Sequence, residues 1–401
     1  MAARQPQTIL CLAGHEKGQR FLSAAKRQGW RVLLITTTAL EHGDWPRESI
    51  DEIFYMPDMY NLTDMIHGVS YLARSRAIDR IVALDDFDVE TAAGLREHMR
   101  LPGMGDSRAR LFRDKLAMRT GARDAGIRVP DFVGIFNYDR IREYMQRVPP
   151  PWVLKRRSEA AAIGVVKIEA PDDLWPRLDA LGDRQSFHLL ERYVPGNVYH
   201  VDSLVVDGEV VFAEAHQYGQ PPMDVVHQGG LFITKTVQRG SEDERTLRAM
   251  NREVLRALGL ERGPSHTEFI KGREDGQFYF LETAARVGGA FITDLVEAST
   301  GINLWEEWAR LETLPPGRPY RPPERRQDYG AIINTLARQE YPDTSAYRDP
   351  EIAIRLGKDH HAGFVLRSPD PDRLQALLDD YSRRFYQDFY TSLPAPDKPV
   401  G

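Results

Sequence analysis

Thr8–Ala13 is an apolar run that stops at Gly14, and residues 31–35 form a second one just after Gly29. Between them, residues 15–28 carry Phe21, Leu22 and Ala25 at helical spacing. Strand, helix, strand in so short a stretch marks a parallel α/β unit, because parallel strands need a crossover. Residues 78–84 read as a further strand and residues 89–99 as its helix. Strands this apolar belong in a sheet covered on both faces. The N-terminal part is therefore expected to form an open, doubly wound α/β domain.

Gly14-x-x-x-Gly18 lies between the first strand and its helix, where a phosphate could meet helix N–H groups. The full Gly-x-Gly-x-x-Gly fingerprint is absent, so the glycines read as turn makers and no dinucleotide site is expected. Asp85-Asp86-Phe87-Asp88 falls at the C-terminal end of a strand, where ligands of α/β sheets collect. A helix cap is the equal alternative there.

Residues 107–125 are helical in pattern, with Leu111, Leu116 and Met118 apolar, and Gly126 ends them. From Val129-Pro130 the character changes to strands joined by shorter helices. Residues 152–154, 165–168, 188–193, 198–206 and 209–215 read as strands, the last two joined by a hairpin turn at Asp207-Gly208. Residues 242–258 read as a helix. Residues 265–270 and 278–282 are strands joined through Asp275-Gly276. Residues 314–323 hold five prolines and cannot be a helix interior or central strand, so they read as a linker. Residues 329–389 follow as a small mixed α/β region, ending in an amphipathic core helix with Leu377, Leu378, Tyr381 and Phe385. A length of 401 residues, at roughly 150 per domain, agrees with two or three units. The boundaries expected are 1–107, 108–313 and 314–401.

Composition removes several classes. A net charge of −6 offers no basic stripe for nucleic acid. Cys11 is the single cysteine, so a disulfide scaffold is excluded and a reducing compartment is favoured. No apolar run has the length of a membrane span, and residues 1–7 lead into no secretory h-region. The expectation is a soluble cytoplasmic protein with no nucleic-acid or membrane partner.

Several residues could carry chemistry. Glu268 sits in one strand, and Glu282 ends the strand paired with it across Asp275-Gly276. Opposed side chains in such a pair lie about 5 Å apart. Carboxylates that close repel unless a cation lies between them, and a hard divalent ion shared with phosphates is the usual answer. Two exposed hairpin glutamates are the bland alternative. Arg286 follows four residues later, then Gly288-Gly289, a combination suited to charge on a transferring phosphoryl group. Lys115 follows Asp114, and Lys155 ends the run 152–154, where its ammonium is delivered to a fixed place. The small residues from Ser158 to Gly164 would let backbone N–H groups close over phosphates. Glu191-Arg192-Tyr193-Val194 leaves its strand into Pro195-Gly196, a backbone edge that could pair with adenine. Residues 216–235 form a long polar stretch with His227, Gly229, Gly230 and Lys235, plausible as a substrate-side loop. His360-His361 lacks the further ligands a zinc site needs.

Taken in order, these pieces resemble the ATP-grasp superfamily over nearly the whole chain. The resemblance runs through Asp114-Lys115, Val153-Leu154-Lys155, Glu191-Arg192-Tyr193-Val194-Pro195-Gly196, His266-Thr267-Glu268-Phe269 and Phe280-Leu281-Glu282-Thr283-Ala284-Ala285-Arg286. It implies a pre-ATP-grasp domain, an ATP-grasp fold and a small mixed C-terminal region. It implies that Lys115 and Lys155 contact ATP phosphates beneath a loop from Ser158 to Gly164. Glu191 would meet the adenine amino group, with Tyr193 and Val194 backbone groups at the base edge. Glu268 and Glu282 would hold Mg2+, and Arg286 and Lys155 would act on the transferring phosphoryl group. Gly288 and Gly289 would join the substrate-side residues.

Two positions depart from the pattern. Val198 stands where a ribose-binding Glu is common, so Asp202, with His200 nearby, is the substitute expected at the ribose. Glu282-Thr283-Ala284 lacks a following Asn. The tail of the motif looks most like carboxylate–amine ligases that join amino acids, and less like biotin carboxylases. The activity implied is ATP-dependent activation of a carboxylate as an acyl phosphate, then attack by an amine. The partners implied are small-molecule acids and amines, namely amino acids, and a homodimer is allowed. A bicarbonate-activating carboxylase and a nucleotide-binding regulatory protein without turnover stay open as alternatives.

Overall fold

The computed structural model describes residues 6–159, 164–315 and 317–392. Strands β1 (Thr8–Ala13), β2 (Arg31–Thr37), β3 (Glu52–Met56) and β4 (Arg80–Ala83) form a parallel sheet in the order β3-β2-β1-β4. The order reverses between β1 and β4, so Gly14 and Asp85-Asp86 face the crevice at their carboxyl ends. Helices Gln19–Arg27, Leu62–Ala73 and Val89–Met99 cover this sheet. The doubly wound expectation holds.

The segment read as one helix over 107–125 is broken. A short helix, Asp106–Ala109, gives way to a turn, and a new helix begins as Lys115–Asp124. Asp114 caps it, accepting from the backbone N–H of Leu116 at 2.9 Å and Ala117 at 3.4 Å. The break sets Lys115 at a helix start instead of mid-helix. Strands β5 (Phe132–Gly134), β6 (Trp152–Arg156), β7 (Val166–Ile168) and β8 (His188–Arg192) make a small antiparallel sheet, order β5-β8-β6-β7.

The largest sheet has eight antiparallel strands, order β13-β12-β9-β10-β11-β14-β16-β15. Its members are β9 (Gly196–Val206), β10 (Glu209–Tyr218), β11 (Phe232–Thr236), β12 (Arg262–Gly272), β13 (Phe278–Ala284), β14 (Tyr329–Leu336), β15 (Ile352–Arg355) and β16 (His361–Ser368). The C-terminal strands therefore do not make a separate sheet, because β14 pairs with β11 from Phe232↔Asn334 to Lys235↔Ala331. The stretch 216–235, read as one long loop, is mostly ordered structure. β10 runs on to Tyr218, and a helix, Pro222–Gln228, precedes β11.

The two-residue period of β9 separates its faces. Tyr199, Val201 and Val205 pack beneath the helix Glu242–Leu258, whose Leu247, Val254, Leu255 and Leu258 are buried there. Leu204 and Val206 face the other way, against Phe21 and the helix Leu304–Thr313. His200 and Asp202 share that second face. No helix among the described residues is long and apolar enough to cross a membrane.

Candidate active site

β12 and β13 place Glu268 opposite Glu282, and a bulge makes this possible. Phe269 pairs with Phe280 but Glu268 pairs with Glu282, leaving Leu281 as the extra residue. Without it, Glu282 would continue on the side of Phe280, which is buried in the core under helix Glu242–Leu258. The bulge turns Glu282 onto the face of Glu268. Glu282 Oε2 lies 2.7 Å from Lys115 Nζ, and Glu268 Oε1 accepts from the Tyr218 hydroxyl at 2.9 Å. Burial alone would raise the Glu282 pKa, but Lys115 and Lys155 bring it down to about 2. Each glutamate keeps a second oxygen with no hydrogen bond among the described residues. Two hard oxygen donors on one face of a hairpin fit a magnesium ion whose other ligands come from phosphate and water.

The two lysines converge from different elements. Lys115 Nζ also donates to the Glu159 carbonyl at 2.5 Å. Lys155 Nζ bonds Glu191 Oε1, and Arg119 Nε donates to Glu191 Oε2 at 3.0 Å. All three side chains are buried. Arg119 Nη1 and Nη2 have no hydrogen-bond partner among the described residues although the residue is wholly buried. Idle buried donors cost free energy that an entering acceptor removes, so this corner fits an anionic nucleotide. Arg119 is a site residue the sequence reading missed. The available signal was its place four residues after Lys115, on the same helix face.

Burial pushes Lys155 down to about 8 despite the opposing pull of Glu191. Only the protonated amine brings a positive charge to the phosphate. ADP affinity is therefore expected to be flat below about pH 8 and to weaken up to tenfold per unit above it. Lys155→Ala should weaken ADP binding by about 1.5–3 kcal/mol, the range for a charged hydrogen bond, and abolish that pH limb. Calorimetric titrations across pH 6.5–9.5 check both; an unchanged affinity would remove Lys155 from the site. The stability sign is separate. The unfolded chain binds more protons between about 8 and the usual 10.5, so this lysine's penalty is present below 8 and fades as pH rises across that window.

Several expected contacts come out differently. The Glu191 carboxylate is held by Lys155 and Arg119, so it does not reach toward a base on its own. The Tyr193 N–H donates to the Pro151 carbonyl at 3.0 Å and is not an open edge donor. Val194 and Val198 are buried together with Tyr218 and Ile270, so position 198 has no opening toward a ribose. Asp202 and His200 cannot serve as the substitute, because both are completely buried. Asp202 is enclosed by His200 Nδ1 at 2.7 Å, His266 Nδ1 at 2.9 Å and His216 Nδ1 at 3.5 Å. Lys235 alternates with Thr234 along β11. Thr234 meets His200, so Lys235 points away and bonds Gln375 of the C-terminal helix Pro371–Asp388. A Cβ on Gly229 would meet Tyr390 and one on Gly230 would meet Gln220 and Tyr386, so these glycines pack near the C-terminal segment. The His227 side chain and residues 160–163 lie outside what the structure describes.

Ser158 and Gly164 flank that stretch. The Ser158 carbonyl accepts from Arg113 Nη2 at 2.8 Å, and Gly164 turns with a φ of +68°. Arg113 also pairs with Asp86, whose other oxygen lies 3.9 Å from Arg286 Nε. Asp86 thus links to Ser158 through Arg113 and lies near Arg286 with its other oxygen. Of Asp85 and Asp88, only Asp85 is a side-chain cap. Asp85 accepts from the Phe87 N–H and pairs with Lys17, while Asp88 accepts from the Gly14 N–H at 2.7 Å. Arg286 Nη1 donates to the Val287 carbonyl, and Nε has no hydrogen bond among the described residues. A Cβ on Gly288 would lie 2.8 Å from Asp202 Oδ1, whereas Gly289 borders open space. Ala290 and Phe291 then both take left-handed backbone, φ +50° and +65°, a strained pair of the kind that clusters at ligand sites.

Residues 148–294 match the ATP-grasp domain family model. The matched segment has the ATP-grasp fold. It is similar to an L-arginine-specific L-amino acid ligase of Bacillus subtilis, with 25% identity over 264 residues, 64% of this chain and 63% of that protein. The chain thus spans under two thirds of that relative's length. Its fold is similar to that of the L-amino acid ligase from Bacillus licheniformis, with a TM-score of 0.77 at 16% identity, covering 97% of this chain and 100% of the other. It also resembles an N5-carboxyaminoimidazole synthetase from Staphylococcus aureus, with a TM-score of 0.72 at 14% identity over 94% of this chain and 97% of that one. Lys115 from a helix start and Lys155 from β6 come to Glu282 of the bulged hairpin, and Arg286 follows in the bend after β13, 3.9 Å from Asp86.

Proposed function

We propose that the chain is an ATP-dependent, ADP-forming carboxylate–amine ligase whose substrates are amino acids. The observation that carries this reading is the bulge that sets Glu282 opposite Glu268 with Lys115 against it and Arg286 four residues on. A substrate carboxylate oxygen attacks the γ-phosphorus of ATP, and the bond to the bridging oxygen breaks, giving an acyl phosphate and ADP. A neutral amine then attacks the acyl carbon, phosphate leaves, and an amide forms with loss of the amine proton. Lys115 and Lys155 hold phosphate oxygens, and Arg286 neutralises charge on the acyl phosphate. Mg2+ on Glu268 and Glu282 would supply charge neutralisation for the phosphates. The similarity to amino acid ligases supports amino acids as the substrate class.

The test is ADP release with hydroxylamine as the amine, run across a panel of amino acids. The expected result is release that depends on a particular amino acid, with a hydroxamate formed in step. Release driven by bicarbonate alone would point to the carboxylase reading. Tight ADP binding with no release for any acid would make the protein a nucleotide-binding regulator.

A further inference from the structure

Asp202, His266 and Glu268 form a chain across β9 and β12. Asp202 and His266 are register partners, and so are His200 and Glu268. Asp202 is completely buried, and its two oxygens are taken by different imidazoles, Oδ1 by His266 and Oδ2 by His200. His200 is fixed at its other end by the Thr234 hydroxyl, 2.8 Å from Nε2. His266 Nδ1 is thus committed to Asp202, and this aims Nε2 at Glu268 Oε1, 3.5 Å away. The same oxygen accepts from Tyr218, whose ring packs 4.7 Å from that of His200. A Cβ at Gly288 would collide with Asp202 Oδ1, so the loop that carries Arg286 rests on this carboxylate. A buried carboxylate with three imidazoles on it costs desolvation that a plain apolar sheet face would avoid. Its placement behind one glutamate of the hairpin gives that cost a purpose.

We propose that Asp202 and His266 are positioning residues that fix the Glu268 carboxylate for metal binding, holding Oε1 from behind so that Oε2 faces the ion. This rests on the reading of Glu268 as a magnesium ligand. Outer-shell partners of this kind commonly tune metal affinity by ten- to a hundredfold. The chain also explains why a charged residue sits in the centre of the sheet without reaching solvent.

Asn and Gln at position 266 separate the two ends of the imidazole. His266→Asn keeps a donor where Nδ1 meets Asp202 and loses the atom aimed at Glu268. His266→Gln keeps a donor at the Nε2 position. Binding of Mn2+ to the ADP-saturated full chain, read by electron paramagnetic resonance of free Mn2+, should weaken about tenfold or more in His266→Asn and less in His266→Gln. ADP affinity without metal should stay unchanged in both. The double variant with Glu268→Gln should bind Mn2+ no worse than Glu268→Gln alone, because the imidazole acts through that carboxylate. Wild-type Mn2+ affinity in a folded His266→Asn, or additive losses in the double variant, would overturn the proposal. If Glu268→Gln itself leaves Mn2+ affinity unchanged, the ligand assignment of Glu268 fails first. Stoichiometric zinc retained by the purified wild type and lost in Asp202→Asn would also overturn it, since His200, Asp202 and His266 would then be ligands themselves.

Discussion

Glu282→Gln should lower amino-acid-dependent ADP release by roughly two orders of magnitude or more, the range for removing one charge that stabilises the transferring group. Repulsion from Glu268, taken alone, predicts that this change leaves the metal-free protein as stable as before or slightly more so. The structure reverses that sign. Glu282 is 2.7 Å from Lys115, and Lys115 and Lys155 hold its pKa at about 2 despite burial. Its folded pKa lies below the ordinary 4.5, so it contributes stability above about pH 4.5 that is lost as pH falls toward 2. The amide oxygen can still accept from Lys115, but the charge that made the contact an ion pair is gone. Loss of a charged hydrogen bond costs about 1.5–3 kcal/mol, which corresponds to several degrees in a domain of this size. Thermal unfolding of the metal-free variant at pH 7 should therefore give a lower Tm than wild type, and the extra stabilisation by MgATP should shrink as well. A variant with full turnover would move the metal site elsewhere. A variant with reduced turnover but raised Tm would mean that the lysine contact does not form in solution.

Arg286→Ala should have the next largest effect on rate, about a hundred- to a thousandfold on kcat, with little change in the Tm or in ADP affinity. The reason for the split is visible in its contacts. Among the described residues, Nη1 bonds only the neighbouring Val287 carbonyl, Nε makes no hydrogen bond, and Asp86 is 3.9 Å away. Little of the fold depends on these contacts, so the guanidinium is available for a developing charge. Arg286→Lys should recover only part of the loss, because an ammonium cannot present the planar fork. Single-turnover measurement of ADP formation against hydroxamate formation would locate the defect. A loss confined to ADP affinity would instead place Arg286 with the nucleotide.

Much of the architecture was legible in the chain itself. Apolar runs at Thr8–Ala13 and 31–35, separated by a helical pattern, could only make a covered parallel sheet, and they do. Asp275-Gly276 fixed the hairpin that carries both glutamates, because few residue pairs take that turn. Residue type and order single out Lys115, Lys155, Glu268, Glu282 and Arg286 as candidates, and of these the structure sets Glu268 opposite Glu282 and Lys115 against Glu282. What the chain could not reveal was set by contacts between distant segments. The bulge at Leu281 decides which face Glu282 occupies, and no local propensity encodes an extra residue against a partner strand. Asp202 read as a polar residue near the ribose, yet packing of three histidines and Gly288 around it leaves it completely buried. Glu191 looked like a base-contacting side chain until β6 and the helix Lys115–Asp124 delivered Lys155 and Arg119 to it. The sequence determined which chemical groups are present and which elements carry them. Only the tertiary structure decided which charges neutralise each other, since that depends on distances across strands far apart in the chain.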